Sequence, residues 1–314
     1  MKSRAAFLGP GSLAALAAVL ALSAAGCATP LKIGASVDPL AILEPGSLAY
    51  ARLDGAVARA FLPAVMPPDS AKSLTSVLAR TRLVAIGIGA LSSIKSGDPP
   101  AGPAFQACLI GDYPFRSAAL SLDADPAWKR EKVGYFNPKI GLRVAIPGPN
   151  LVVASTERLE PLIAASGAPG TSPIPTRLSA LSSRRLTIWV PEPFSRLAAA
   201  LFGDPMDVPV VGLLVAADPV SGSDDDYDAT VAFLMKDAES ALIFRPALRL
   251  AWFGIARGLL GIEGDGALGV PFTQDGDLFQ ASGIRLSGRT LARALRALRS
   301  GFAASGGPAR GEGI

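Results

Sequence analysis

Few residue patterns in this chain could do chemistry, and each can be weighed against its surroundings. Ser92 and Lys95 form S-x-x-K, the spacing that puts a serine hydroxyl one helical turn from a lysine able to take its proton. The stretch runs straight into SGDPP, where no long helix can surround the pair. The only K-[ST]-G triplet, Lys95-Ser96-Gly97, reuses the same lysine, and no S-D-N triplet occurs. We therefore expect chance spacing in a serine-rich loop. A second cluster, SGSDDDYD, gathers Asp224, Asp225, Asp226 and Asp228, with Asp218 nearby. Its D-x-D-x-D opening is similar to that of a calcium loop, but the sixth position is Ala229 rather than Gly and the twelfth is Met235 rather than Glu. The expectation is a solvated hairpin turn and no metal. Neither G-x-S-x-G nor a phosphate-cradling GxxxxGK[ST] is present.

Composition narrows the chemistry further. The 314 residues contain no His and two Cys. That removes Ser-His-Asp and Cys-His catalysis, imidazole-dependent metal sites and cysteine-rich zinc or iron–sulfur centres. No catalytic residue, cofactor or metal is expected, although paired carboxylates could still serve an exported hydrolase. The segment SGRTLARALRALRS carries Arg285, Arg289, Arg293, Arg296 and Arg299 in or beside it. Leu291, Leu295 and Leu298 share one helical face, and Arg289, Arg293 and Arg296 share another. Those three arginines could meet phospholipid head groups, lipopolysaccharide phosphates or an acidic partner. The plainer reading docks the leucines on a sheet and leaves the arginines in water.

The N-terminus carries an address. Lys2 and Arg4 precede a Leu/Ala-rich stretch from Leu13 to Leu22, then Ser23, Ala24, Ala25, Gly26 and Cys27. This is the order of a secretory signal peptide, too short for a stable membrane span. The run LSAAGC at 22–27 resembles the lipobox of bacterial lipoproteins. That resemblance, confined to the first 27 residues, implies diacylglyceryl attachment at Cys27 and a further acyl chain such as palmitate on its amine. It also implies that Ala28 directs sorting to the outer membrane, facing the periplasm or beyond. Several acyl chains at one residue suffice for stable anchoring. Cleavage before Cys27 would leave 288 of the 314 residues and, with Lys2 and Arg4 gone, lower the side-chain charge from +4 to +2. So nearly neutral a chain gives no reason to expect nucleic acid as partner. Cys108, in the apolar FQACLIG, is then left without an intramolecular partner and reads as a buried free thiol.

Residues 27–46 read as the lipidated cysteine and a Pro/Gly-bearing tether, with regular structure from Ser47. SLAYARLD suggests a strand, 54–65 a helix ending before MPPDS, and SAKSLTSVLART another helix. RLVAIGIGALSSI and AFQACLIGDY suggest a long hairpin. Pro114 suits the first turn of a helix, two or three strands follow through NLVVAST, and Thr156 and Glu157 open a further helix. The Gly/Pro/Ser/Thr stretch 167–177 divides an α+β unit at 47–166 from a second at 178–300. In the second unit RLTIWVP, VPVVGLLVAAD and DYDATVAFLMK read as strands, and Asp237–Leu260 as a helix that Pro246 should break or kink. LGVPF and GDLFQASGIRL add strands, and 301–314 reads as a disordered tail. Trp128, Trp189 and Trp252 are expected to fill core space.

The expected fold class is α+β, mainly antiparallel sheets with packed helices. The repeating order of elements resembles two degenerate ferredoxin-like units. The expected function is that of a non-catalytic, lipid-anchored protein of the bacterial envelope, binding another envelope protein, a lipid or a glycan. An exported hydrolase using carboxylate or Ser/Lys chemistry is one alternative, and a lipid-transfer or chaperone module the other.

Overall fold

The computed structural model describes residues 37–65, 75, 77–89, 104–195, 208–223, 225–258, 262 and 269–293. They form a mixed α+β fold in which mainly antiparallel strands pack against helices. The chain divides into two compact units. One comprises Met1–Pro45, Arg52–Gly87 and Ala104–Pro173, the other Gly46–Ala51, Ile88–Pro103 and Ile174–Ile314.

Strand β1 (Ala49–Asp54), whose residues from Arg52 on belong to the first unit, leads directly into that unit's helix α1 (Gly55–Val65). Asp54 accepts a hydrogen bond from the Val57 amide at 2.8 Å, satisfying a donor that the helix start would otherwise leave unpaired. Val57, Ala58 and Phe61 supply the buried stripe of α1. Strands β2 (Thr81–Ile88) and β3 (Phe105–Gly111) are neighbours, as the hairpin reading expects. Helix α2 (Phe115–Ala124) then precedes β4 (Lys129–Arg130), β5 (Tyr135–Asn137), β6 (Leu142–Gly148), β7 (Leu151–Ser155) and helix α3 (Glu160–Gly167). The strand order is β2-β3-β7-β6-β5-β4. Antiparallel ladders join β3 to β7, β7 to β6, β6 to β5 and β5 to β4. All five residues of the central β7 are buried, which explains its uninterrupted apolar run, while the outermost β4 exposes Lys129 and Arg130. Leu122 of α2 packs with Trp128, Tyr135, Val144 and Val152.

In the second unit, β8 (Leu186–Pro191), β9 (Val210–Pro219), β10 (Asp226–Met235), helix α4 (Ala238–Gly258), β11 (Phe272–Asp275) and β12 (Leu278–Ser287) follow in the chain. Their order across the unit is β11-β12-β10-β9-β8, with every one of these ladders antiparallel. Phe233, Phe279, Leu186, Leu214 and Trp252 are buried in it. Arg177 holds the β11–β12 turn, its guanidinium reaching Asp275 at 2.7 Å and Asp277 at 3.3 Å.

Four local expectations are corrected. Residues 38–43, placed in the tether, are packed: Pro39–Ile42 is a 3-10 turn capped by Asp38, and Leu40 and Ile42 are too apolar to stay in water once a core is available. Pro114 stands at the N-cap of α2 rather than in its first turn, its carbonyl accepting the Ala118 amide. Thr156 and Glu157 do not open a helix. Thr156 donates its amide to Phe105 and Glu157 to the Ser155 hydroxyl, and α3 starts only at Glu160, with Pro161 in its first turn. Of the break or kink expected at Pro246, the break does not occur, since α4 runs through it. The proline lies on the exposed side, where water can satisfy the carbonyl its missing N–H would have bound.

Candidate functional site: the outward face of helix α4

Helix α4 starts where Asp237 accepts the Ser240 amide at 2.6 Å, and hydrogen bonds from Ser240 hold that carboxyl below the usual carboxylate range. Ala241, Leu248, Trp252 and Ala256 recur at helical spacing and are buried. Trp252 meets Phe272 edge-on with ring centroids 6.1 Å apart, and Phe272 stacks on Phe279 at 4.6 Å, fastening the helix to β11 and β12.

The opposite face is largely apolar as well, with Glu239 exposed in its first turn. Leu242, Ile243 and Leu250 are 62%, 63% and 71% exposed, and Pro246 and Ala247 lie exposed between them. These five positions fall within an arc of roughly 140° at the helical repeat of about 100° per residue. Arg249 is exposed at the margin of the arc, and Arg257 at its C-terminal end. Burying a leucine or isoleucine side chain is worth about 1.5–3 kcal/mol, so three left in water are an unclaimed binding energy. From the sequence, the Ala, Leu, Ile, Phe and Trp residues of this helix read simply as available to a core. The available signal was that the apolar residues of α4 extend well beyond one helical stripe, more than a single packed face requires.

The residues singled out by type fall elsewhere. Cys27, Ser92, Lys95, Asp224, Arg296 and Arg299 lie outside the described residues. Arg289 and Arg293 are exposed one turn apart on the helix that follows β12, whose start is capped by Ser287 accepting the Thr290 amide at 3.2 Å, while Leu291 between them is buried. In the acidic turn Ser223 donates to Asp226 at 3.0 Å, and Asp218 pairs with Arg184 at 3.8 Å. Among the described residues no group of three or more Cys, Asp or Glu could hold a metal ion. No described helix is long and apolar enough to cross a membrane. Cys108 is a fully buried free thiol whose desolvation pushes its pKa up to about 12, leaving it without thiolate character at neutral pH. Trp128, Trp189 and Trp252 are core residues, as expected.

The described architecture is that of an α+β protein built on mainly antiparallel sheet, and comparison with known structures gives that fold a counterpart. The chain is similar to TP0453 in crystal form III, with 16% identity, a TM-score of 0.59, and coverage of 84% of this chain and 100% of that one. It matches crystal form I at 17% identity and TM-score 0.59, covering 85% and 100% of the two chains. Crystal form IV matches at 16% identity and TM-score 0.57, covering 83% and 98%. At this identity the likeness establishes a shared fold. No protein-family model and no curated protein matches the sequence.

Proposed function

We propose that this is a non-catalytic, lipid-anchored protein of the bacterial envelope, tethered through Cys27 and most consistent with an outer-membrane address, that engages a lipid surface through the outward face of α4. The observation that carries the reading is the exposure of Leu242, Ile243 and Leu250 on a helix whose other face is already packed. Arginines beside such a face suit contact with anionic lipid, where apolar side chains enter the acyl boundary and cations stay with the head groups. Arg289, Arg293 and Arg296 are proposed as a second basic contact for head-group phosphates. An acyl chain at Cys27 would hold the protein at the membrane, so the helix face need contribute only a modest affinity.

The mature chain carrying Cys27→Ser, which removes the acyl chain, should co-sediment with phosphatidylglycerol-containing vesicles. Replacing Leu242, Ile243 and Leu250 together with Gln should weaken that binding about ten-fold or more while leaving Tm within a few degrees. Equal binding by the variant sinks the lipid-surface reading. Loss of a co-purifying envelope protein instead of vesicle binding would transfer the face to a protein partner.

We further read the two units as degenerate copies of one α+β element. The support is topological: α2 follows β3 and α4 follows β10, and each of these strands gains a later antiparallel neighbour, β7 and β12 respectively.

A further inference from the structure

A second surface, wholly within the first unit, has a different chemistry. Where β1 passes into α1, Gly55 lies so close to the start of β2 that a Cβ there would run into the Thr81 carbonyl. Only glycine permits that approach, and it draws the first turns of α1 against residues 79–82. The result is a shallow, open surface depression of about 300 Å³ bordered by Arg59, Arg80 and Arg82. Thr81 between the last two is buried, its hydroxyl spent on the Val77 carbonyl and the Tyr113 hydroxyl, so Arg80 and Arg82 flank it on the exposed side.

Charge around the depression is unbalanced. Asp54 is the single carboxylate among the lining residues, and it already accepts the Val57 amide. Arg59 donates one bond to the Leu78 carbonyl at 3.3 Å, which leaves most of its five N–H donors for other partners. Arg80 and Arg82 make no side-chain hydrogen bond or ion pair with any described residue. Three guanidiniums around a depression, two of them without a partner among the described residues, offer planar donor forks and a positive potential that match a phosphate group better than a carboxylate, because a phosphate brings a second charge and a third acceptor oxygen. The volume stands at the lower end of small-ligand sites, room for a phosphorylated group together with the few atoms esterified to it.

We infer that the Arg59–Arg80–Arg82 depression is a binding site for a phosphate-bearing ligand. The shared chemistry is a phosphate monoester, carried either by a free metabolite or by a lipid head group. The inference stands apart from the reading of α4 as a lipid-facing helix, because its probes contain no bilayer.

Titration of the full chain in neutral detergent with glycerol 3-phosphate and, separately, with water-soluble dihexanoyl phosphatidic acid tests it. Saturable binding of at least one probe is expected, and the tighter of the two identifies the source. Arg80→Gln combined with Arg82→Gln should weaken binding about ten-fold or more, and the corresponding pair of Lys substitutions should retain part of it. Lys129→Gln, on the exposed β4, should change nothing. Should the double variant fail to fold, Arg82→Gln alone carries the same expectation at smaller size. Absence of saturable binding by both probes overturns the proposal, as does binding undiminished in a folded Arg80→Gln/Arg82→Gln protein.

Discussion

Glu44 leaves the Pro39–Ile42 turn with its main-chain N–H and carbonyl both held at 2.8 Å by the Gln106 side-chain amide. Its own carboxyl is partly desolvated and faces the charge of Glu157, and these two effects raise its pKa above the ordinary value despite the pull of Arg158. A carboxyl whose pKa is higher folded than unfolded binds its proton more tightly in the native state. Its stabilising contribution is complete below the unfolded pKa and is lost as pH rises through the folded one. Glu44→Gln removes that loss and leaves the main-chain bonds to Gln106 in place. The variant should therefore melt higher than the parent at pH 7 and converge with it near pH 4, as read by thermal denaturation across pH. A lower Tm for the variant at pH 7 would refute the assignment. Cys108 illustrates what was legible at this scale: its apolar neighbours in FQACLIG already implied a buried thiol. The raised Glu44 was not legible, because Glu157 and Gln106 reach it only through the fold.

Trp189 and Gly212 show what one element demands of its neighbour. In the β8–β9 ladder Trp189 pairs with Leu214 and Pro191 with Gly212, so the indole leans diagonally over Gly212. A Cβ at position 212 would fall inside the ring. Gly212→Ala should therefore destabilise the protein by about 1–3 kcal/mol through overpacking. In a Trp189→Ala background the same change should cost much less, since the ring that it strikes is gone. Urea unfolding of the four proteins in a double-mutant cycle measures this, and an identical cost in both backgrounds would remove the explanation. The strands themselves were readable from their apolar and β-branched runs, and so was the antiparallel β9–β10 pair across its acidic turn. Element starts were less so. Glu157 resembles a helix opener in sequence, but Ser155 captures its amide and delays α3. Pro246 resembles a helix breaker, yet it is tolerated on an exposed side.

For the molecule as a whole, the anchor proposed at Cys27 is the feature on which the proposed location depends. Metabolic labelling with a palmitate analogue should mark the wild-type protein and not Cys27→Ser, and the variant should leave the membrane fraction or accumulate as the uncleaved precursor. Equal labelling of both would end the lipoprotein assignment. The absence of histidine chemistry, the α+β class and most strands follow from the sequence alone, and the proposed N-terminal address rests on it too. They rest on composition or on periodicities within a dozen residues, which need no knowledge of what lies across the core. Two features belong to tertiary structure. The apolar residues of α4 extend past a single stripe, so which of them meet the core is decided only when Trp252 docks on Phe272, and that docking leaves Leu242, Ile243 and Leu250 outside. Arg59 stands about twenty residues before Arg80 and Arg82, and only the glycine-permitted contact of Gly55 with Thr81 closes that interval into one depression.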